Sequence, residues 1–259
     1  MSAYKKKNIM LSKNQIKKIK SLELKKNRER EGAFVAEGLK IVSDLLAVCT
    51  PRLVVATPDW HARYGASVPA PCVTATEDEL RKASFQQHPQ QVIGIFNIPV
   101  HTVGASICSK ELCLALDRIQ DPGNLGTIIR IADWFGISTI FCSNDTVDAF
   151  SPKVVQATMG SIARVKIIYT DIRELLDSLP ADVPIYATAL GGENIYRQEL
   201  SANGLLIMGN EGNGVSPEVM ARANKLLLIP SYSTSSGIDS LNVAIATAVA
   251  CAEFRRRLG

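Results

Sequence analysis

Long apolar stretches are absent from this chain, although 46% of its 259 residues are hydrophobic. No run approaches the roughly 18 residues that a helix needs to span a bilayer. The lysine-rich N-terminus also lacks the apolar core of a signal peptide. We therefore expect a globular cytoplasmic protein with no membrane partner.

Histidine and paired cysteine are also scarce. The three histidines, at positions 61, 88 and 101, all precede Lys110. The C-terminal part thus has no imidazole for a Ser-His-Asp triad or a His-containing zinc site, which excludes the common hydrolases. The six cysteines form no Cys-x-x-Cys pair. Most lie in apolar or strand-like stretches, which favours buried free thiols over disulfides or zinc, and we expect no metal cofactor.

Acidic residues are few near the N-terminus. Residues 1–31 contain 11 Lys/Arg and 3 Glu, a net charge of +8, and the remainder is −4 because the whole chain is +4. A basic arm on a mildly acidic body indicates a polyanionic partner, most often nucleic acid. The alternative is a solvated helix face.

The first hundred residues have the pattern of a small α/β unit that ends near Val100–Ser109. Helices are predicted over Ser12–Arg30, Ala36–Val48 and Glu77–Ala83. Short apolar runs occur at Leu53–Ala56, Cys72–Thr74 and Val92–Phe96.

After Lys110 strands and helices alternate strictly. The predicted strands are Leu112–Leu116, Thr139–Cys142, Val165–Tyr169, Ile185–Ala189, Leu205–Met208 and Leu226–Ile229. The predicted helices are Leu125–Phe135, Pro152–Met159, Ile172–Leu179, Pro217–Ala223 and Ser240–Arg257. Strands without polar alternation are buried on both faces, as in a parallel sheet covered by helices. Ligands of such sheets bind beyond the carboxyl ends of the strands.

The first of three unusual strand ends contains Asp121-Pro-Gly-Asn. The Pro-Gly pair predicts a turn, with Asn124 at the mouth of the next helix. Arg130 points away from the apolar stripe of that helix and is suited to clamp a phosphate. The alternative is a local pair with Asp133.

The second strand end is Gly209-Asn-Glu-Gly-Asn-Gly. Its glycines allow the backbone to approach a ligand closely. The spacing is neither a dinucleotide fingerprint nor a P-loop. Glu211 would repel a phosphate, so a neutral or cationic ligand is expected. A plain turn is the alternative.

The third strand end follows Ile229-Pro230, where proline ends a buried strand. A polar loop over Ser231–Asp239 leads to a helix that Asp239 or Ser240 is expected to cap. Because that helix is apolar almost all round, we expect it to be buried on most faces. The alternative for Ser240 and Asn242 is a simple cap and a buried amide.

Together the three stretches resemble the SpoU (TrmH-type) RNA ribose 2′-O-methyltransferases of the SPOUT class. The matching segments are Asp121–Arg130, Met208–Val215, and Ile229-Pro followed by Ser240–Val243, in the family order across about 110–257. Residues 1–100, with Phe34-Val-Ala-Glu-Gly-Leu-Lys, are similar to the L30e-like RNA-binding domain often fused in front. The expected domains are therefore 1–105, L30e-like, and 106–259, the SPOUT methyltransferase.

The resemblance implies an α/β sheet closed by a trefoil knot, S-adenosylmethionine as cofactor, and a homodimer. By motif position, the cofactor-binding residues would be Thr188, Leu190, Gly209, Ile229 and Leu241. The residues at the reaction centre would be Asn124, Arg130, Glu211, Ser240 and Asn242.

The expected reaction is methyl transfer to an RNA ribose 2′-hydroxyl, with rRNA favoured over tRNA. Ile229-Pro230 departs from the family pattern, because a serine follows where the family commonly has methionine and the loop looks longer. This departure leaves open an RNA-binding protein that has the fold without catalysis. A nucleotide-binding enzyme of another kind is disfavoured, since no phosphate-binding fingerprint is present.

Overall fold

A computed structural model describes residues 11–102, 104–233 and 240–257. Ten residues of the basic arm, and most of the loop predicted over Ser231–Asp239, lie outside the described residues. The chain forms two compact units. Unit 1 contains the described part of Met1–Pro99 together with Phe150–Ala163, and unit 2 contains Val100–Ala149 and the part after Arg164.

Unit 1 is built on a four-stranded sheet in the order β1-β4-β2-β3. Its strands are β1 (Ala33–Glu37), β2 (Pro51–Ala56), β3 (Cys72–Thr74) and β4 (Val92–Asn97). Its helices are α1 (Lys13–Ser21), α2 (Lys25–Glu31), α3 (Leu39–Leu46), α4 (Pro58–Tyr64), α5 (Glu77–Ala83) and, from the later segment, α7 (Pro152–Ala157). Short 3-10 turns lie at Gly65–Ser67 and Ser161–Ala163.

The single helix predicted over Ser12–Arg30 is wrong, because the chain forms two helices there. Ser12 and Gln15 form a capping box that starts α1. The chain then turns after Ser21 and places Leu22 in the core, where its side chain is fully buried. The exposed Leu24 precedes α2 and is not part of the buried stripe that the sequence suggested.

The helix predicted from Ala36 begins later, at Leu39. Residues 33–37 instead form the edge strand β1, which pairs in antiparallel fashion with β4 alone. Gly38 separates strand from helix with φ +95°, a conformation that favours glycine.

The segment Phe150–Ala163 belongs to unit 1 by its contacts. The ring of Phe150 lies 5.1 Å from that of Phe34 on β1. Helix α7 packs against β1 as well. The free edge of the unit 1 sheet is thus covered by a piece of chain that is distant in sequence.

Unit 2 contains a six-stranded sheet in the order β10-β8-β9-β5-β6-β7, in which each neighbouring pair is parallel. Its strands are β5 (Leu112–Leu116), β6 (Thr139–Ser143), β7 (Lys166–Thr170), β8 (Ile185–Asn194), β9 (Gly204–Met208) and β10 (Lys225–Leu228). Its helices are α6 (Pro122–Trp134), α8 (Ile172–Asp177), α9 (Pro217–Met220) and α10 (Val243–Arg256), with 3-10 turns at Ala105–Ser109 and Ile195–Arg197. The predicted α/β class and parallel sheet are confirmed.

Two helix starts in unit 2 differ from the sequence prediction. Helix α6 begins at Pro122, because the Asp121 side chain accepts a hydrogen bond from Asn124 N at 2.8 Å and caps the helix. Asn124 therefore lies in the first turn. Helix α10 is capped by Asn242, so the prediction of Asp239 or Ser240 as cap is wrong.

The remaining global expectations concern membranes, thiols and metals. No helix among the described residues is long and apolar enough to cross a membrane. None of the six cysteines, all of which lie among the described residues, forms a disulfide; four are buried, Cys72 is half-buried and Cys49 is exposed. Within the described ranges, no three His, Cys, Asp or Glu side chains gather into a group that could hold a metal ion.

Candidate active site

The carboxyl ends of β8, β9 and β10 and the start of α10 enclose a cavity of about 500 Å³ in unit 2. This volume lies within the range of about 300–1,000 Å³ typical of small-molecule sites. Its wall contains all five residues expected to bind the cofactor, namely Thr188, Leu190, Gly209, Ile229 and Leu241. Glu211 and Ser240 also line it. We refer to it below as the unit 2 cavity.

Hydrogen bonds join the three unusual strand ends. Asn124 Nδ2 donates to Glu211 Oε1 at 2.9 Å, and Asn242 Nδ2 donates to Asn124 Oδ1 at 2.9 Å. Asn242 Oδ1 in turn accepts the main-chain N–H groups of Ala244 and Ile245. A continuous chain of polar contacts thus runs from the wall of the unit 2 cavity to the N-terminus of α10.

The glycine-rich loop after β9 is a tight hairpin. Main-chain hydrogen bonds of 3.0 and 2.9 Å join Asn210 and Gly214. A Cβ atom on Gly209 would lie 2.1 Å from the main chain of Gly214, so only glycine fits there. The side chain of Asn210 accepts from Gly212 N and Asn213 N and closes the loop. The loop therefore forms part of the cavity wall and is more than the plain turn that the sequence left as an alternative.

Arg130 is exposed on α6, and its side chain makes no hydrogen bond or ion pair with any described residue. The expected alternative partner, Asp133, is held by Arg164 through bonds of 2.8–3.1 Å. Arg130 follows Asn124 by six residues, or about 9 Å along the helix axis. The structure therefore brings Asn124, Glu211 and Asn242 together and does not join Arg130 to them.

Three residues that the sequence did not single out support the site. The buried carboxylate of Asp117, at the end of β5, accepts Ser216 N at 2.7 Å and fixes the far side of the glycine-rich loop. Asn210 Nδ2 donates to Arg118 O at 2.8 Å. Arg118 itself has φ +60°, a strained conformation for a residue with a side chain. No sequence signal marks such a conformation at an arginine.

The side chains in the wall of the unit 2 cavity restrict which ligands can bind there. Thr188, Glu211 and Ser240 add polar groups to a wall of aliphatic side chains and loop backbone. A carboxylate in such a wall favours a neutral or cationic ligand over a phosphate. No cysteine or histidine lines the unit 2 cavity in the described chain.

A parallel α/β sheet with these three linked strand ends defines a methyltransferase of the SPOUT class. Residues 111–252 match the model of the SpoU rRNA methylase family. That match covers more than half of the chain, which thus belongs to this family. Residues 13–94 match an MRM3-like substrate binding domain.

Relatives with known names cover nearly the whole chain. The 23S rRNA (guanosine(2553)-2′-O)-methyltransferase RlmP of Bacillus subtilis is 30% identical over 94% of this chain and 97% of the relative. A TrmH-family structure from Porphyromonas gingivalis is 40% identical, with a TM-score of 0.86 over 96% of this chain and 99% of that one. An AdoMet-bound rRNA methyltransferase of Sinorhizobium meliloti is 32% identical, with a TM-score of 0.84 over 96% of this chain and 98% of its own.

Proposed function

We propose that this protein transfers a methyl group from S-adenosylmethionine to a ribose 2′-hydroxyl of ribosomal RNA. The observation that carries the proposal is the hydrogen-bonded chain Glu211–Asn124–Asn242 beside the unit 2 cavity. Amide side chains that are already held in place orient a reactant at little entropic cost.

The residues of the unit 2 cavity fit the cofactor. Its volume suits a ligand of this size, and glycine at position 209 lets the loop in the cavity wall fold tightly against Gly214. Leu190, Ile229 and Leu241 supply apolar surface, and Glu211 supplies negative charge. The cofactor contributes a methyl group that its sulfonium activates toward attack.

The remaining residues act on the RNA in this proposal. The planar guanidinium of Arg130 grips a phosphate and places the ribose hydroxyl. Asn124 and Asn242 fix the orientation of the groups around them, and Ser240 lies at the rim between cofactor and substrate.

Ribosomal RNA is the proposed substrate because RlmP and the Sinorhizobium meliloti relative are named as rRNA methyltransferases. RlmP is named as a guanosine methyltransferase of 23S rRNA. The match of unit 1 to an MRM3-like substrate binding domain supports an RNA-binding role for the N-terminal part. The division into domains 1–105 and 106–259 is part of the same proposal, with Phe150–Ala163 as a segment of the second domain that packs in unit 1. A cytoplasmic location with the ribosomes is a further part of it.

A homodimer is the proposed assembly. Trp134 is 85% exposed at the end of α6, and Ile245 is 54% exposed on α10. Helices α6 and α10 pack together, so both side chains belong to one helix pair. Aromatic residues such as tryptophan are enriched at protein–protein interfaces. The trefoil knot also remains a prediction from the family resemblance.

The alternative of an RNA-binding protein without catalysis is disfavoured by the intact polar set. Calorimetry with S-adenosylmethionine, followed by transfer of tritiated methyl groups to rRNA from a strain lacking this gene, separates the two. We expect saturable binding and label in 2′-O-methylated nucleosides, with tRNA as the comparison substrate. Absence of binding at high micromolar cofactor would contradict the proposal.

A further inference from the structure

Unit 1 contains a cavity of its own, with a volume of about 250 Å³. We call it the β1-edge pocket. Its wall is formed by Val35, Glu37, Phe85, Gln86, Pro152, Lys153, Val155 and Gln156. It combines strand β1, the residues after α5 and helix α7, all within unit 1. Nothing in the methyl-transfer site uses these residues.

The main chain of β1 faces this pocket with unpaired groups. Gly38 N donates to Val92 O, and Ile98 N donates to Gly32 O. Because hydrogen-bonded pairs alternate along an antiparallel ladder, the even-numbered residues of β1 are the ones that bond to β4. The N–H and C=O groups of Val35 and Glu37 therefore point toward the free edge.

These main-chain groups are buried. Val35 is 2% and Glu37 4% exposed. Their N–H and C=O groups make no hydrogen bond with another described residue. Buried main-chain donors and acceptors almost always have hydrogen-bond partners, so we expect a polar ligand to bind at this edge of β1.

The side chains around the edge add matching chemistry. The Glu37 carboxylate accepts from Ser84 Oγ at 2.5 Å and from Phe85 N at 2.8 Å, which fixes the position of Phe85. Gln86 Nε2 donates to Gln156 Oε1 at 2.8 Å. This leaves Gln86 Oε1 as an acceptor and Gln156 Nε2 as a donor, with no other partner in the described chain. Lys153 is exposed at the wall of the pocket.

We propose that the β1-edge pocket binds an unstacked nucleobase of the RNA, away from the methylated nucleotide. Single-stranded RNA is recognised by stacking on aromatic rings and by hydrogen bonds to base edges. Phe85, whose ring centroid lies 4.5 Å from Lys20 Nζ, supplies the aromatic surface of the wall. The Val35 edge and the two glutamines supply donors and acceptors, and the exposed Lys153 binds the phosphate. This inference rests on the proposed function, since it assumes an RNA substrate.

The size of the pocket argues against other occupants. Its volume is below the range of about 300–1,000 Å³ typical of drug-sized ligands, so a base fits while its sugar and phosphate stay outside. A bound peptide strand needs a long open edge. Here β1 is five residues long and α7 packs along it.

The test uses the full-length, ¹⁵N-labelled protein and the four common nucleoside 5′-monophosphates. S-adenosylhomocysteine is present at saturation, so that nucleotides are kept out of the unit 2 cavity. Each nucleotide is added to about 10 mM, well above the Kd of about 1 mM that is typical of a fragment-sized ligand. We expect at least one of the four nucleotides to shift the amide signals of Val35 and Glu37. Slowed hydrogen exchange at the same two amides is expected.

The variant that tests the pocket is the double substitution Gln86→Leu and Gln156→Leu. The change preserves approximate side-chain size and removes the base-reading groups, while exposed Gln87→Leu is the matched control. We expect the double variant to weaken RNA binding about ten-fold, comparable to the loss of one good base contact, and to raise KM for RNA. The kcat at saturating RNA and the affinity for S-adenosylmethionine are expected to stay unchanged.

Two results would overturn the inference. The first is the absence of saturable shifts at Val35 and Glu37, which would leave the pocket to water. The second is RNA affinity in the double variant equal to that of Gln87→Leu, with unchanged amide signals elsewhere. Failure of the proposed function is distinguishable, because it appears as absent cofactor binding or absent methyl transfer while nucleotide shifts in unit 1 persist.

Discussion

At the scale of single residues, Asn124 must satisfy two hydrogen-bonding partners at once. Its side chain donates to Glu211 and accepts from Asn242, so it needs both a donor and an acceptor at one site. An aspartate there would place two carboxylates in contact, and a leucine would leave both partners unsatisfied. The amide is thus required by its neighbours, whatever its direct part in the reaction.

Arg130→Ala is expected to abolish methyl transfer with little loss of cofactor affinity. Arg130 is exposed and does not line the unit 2 cavity, so its removal leaves the cavity wall unchanged. Filter-binding assays of tritiated methyl transfer and calorimetry with S-adenosylmethionine measure the two effects. Arg197→Ala, at another exposed arginine of unit 2, is the control. Near-normal turnover of Arg130→Ala would refute the role assigned to it.

Sequence reasoning found the polar residues that follow strands and missed those that support them. Sheet geometry placed the three unusual strand ends at one edge of the sheet. The resemblance to the SpoU family predicted that Asn124, Glu211 and Asn242 meet there. The left-handed φ of Arg118 and the contact of Asp117 with Ser216 depend on tertiary packing. An aspartate or an arginine in a sequence does not by itself indicate these supporting roles.

At the scale of secondary-structure elements, β1 is a strand that the sequence pattern did not predict. The residues from Ala33 to Glu37 are buried on both faces, so they lack the alternation that marks a half-exposed strand. The apolar residues over Leu39–Leu46 have helical spacing. The prediction extended that pattern back to Ala36 and therefore placed the start of α3 too early. The predicted strands of unit 2 were found more reliably, since proline, glycine and aspartate bound many of them.

Asn242 allows its capping role to be separated from its role in the site. Asn242→Ser keeps an oxygen that caps α10 but loses the donor to Asn124, while Asn242→Ala loses both. We expect Asn242→Ala to lower the free energy of unfolding by about 1 kcal/mol and Asn242→Ser by less. Both variants are expected to lose most activity. Urea unfolding and methyl-transfer rates check this, and full activity in Asn242→Ser would contradict the role of the amide.

The far end of α10 is held by the carboxylate of Glu253. Its hydrogen bond from Arg256, reinforced by Arg257, lowers the pKa of Glu253 from 4.5 to about 2. A lowered pKa means that the stabilisation is present above about pH 4.5 and is lost as pH falls toward 2. Urea unfolding of Glu253→Gln should therefore differ most from the unmodified protein above pH 5, with the gap closing in acid. A pH-independent gap would contradict the ion pairs; Glu218→Gln is the exposed control.

At the scale of the whole molecule, the lysines of α1 test the RNA-binding role of unit 1. Deleting residues 1–30 would remove Ile19 and Leu22 from the core, so substitution is the sharper test. Changing the exposed Lys13, Lys17 and Lys18 to Gln is expected to weaken RNA binding. It should also reduce the salt slope of log K by about 2, or about 0.7 per single-strand phosphate contact.

The matched control for this charge change is the triple substitution of exposed lysines elsewhere, Lys82, Lys110 and Lys166 to Gln. It removes the same net charge from other parts of the surface. Equal salt slopes in the two triple variants would favour the alternative of a solvated helix face. Nitrocellulose filter binding at several salt concentrations provides the slopes.

The exposed apolar residues of unit 2 test the proposed dimer. The sequence predicted that α10 is buried on most faces, and its exposed face carries Ile245, which is 54% exposed. The neighbouring helix α6 carries the exposed Trp134. Trp134→Arg and Ile245→Arg are each expected to yield monomers in sedimentation-velocity experiments. Val100→Arg, at a 90% exposed position of the same unit, is the control. A monomeric unmodified protein at micromolar concentration would contradict the dimer.

The return of residues 150–163 to unit 1 has a consequence for biosynthesis. A ribosome makes the chain from the N-terminus at about 5–20 residues per second. After Pro99 has emerged, the edge of β1 stays bare until more than fifty further residues have followed, because Phe150 and α7 are its cover. The nascent N-terminal domain must therefore wait for its final piece, and a gene fragment cut at residue 99 encodes an incomplete fold.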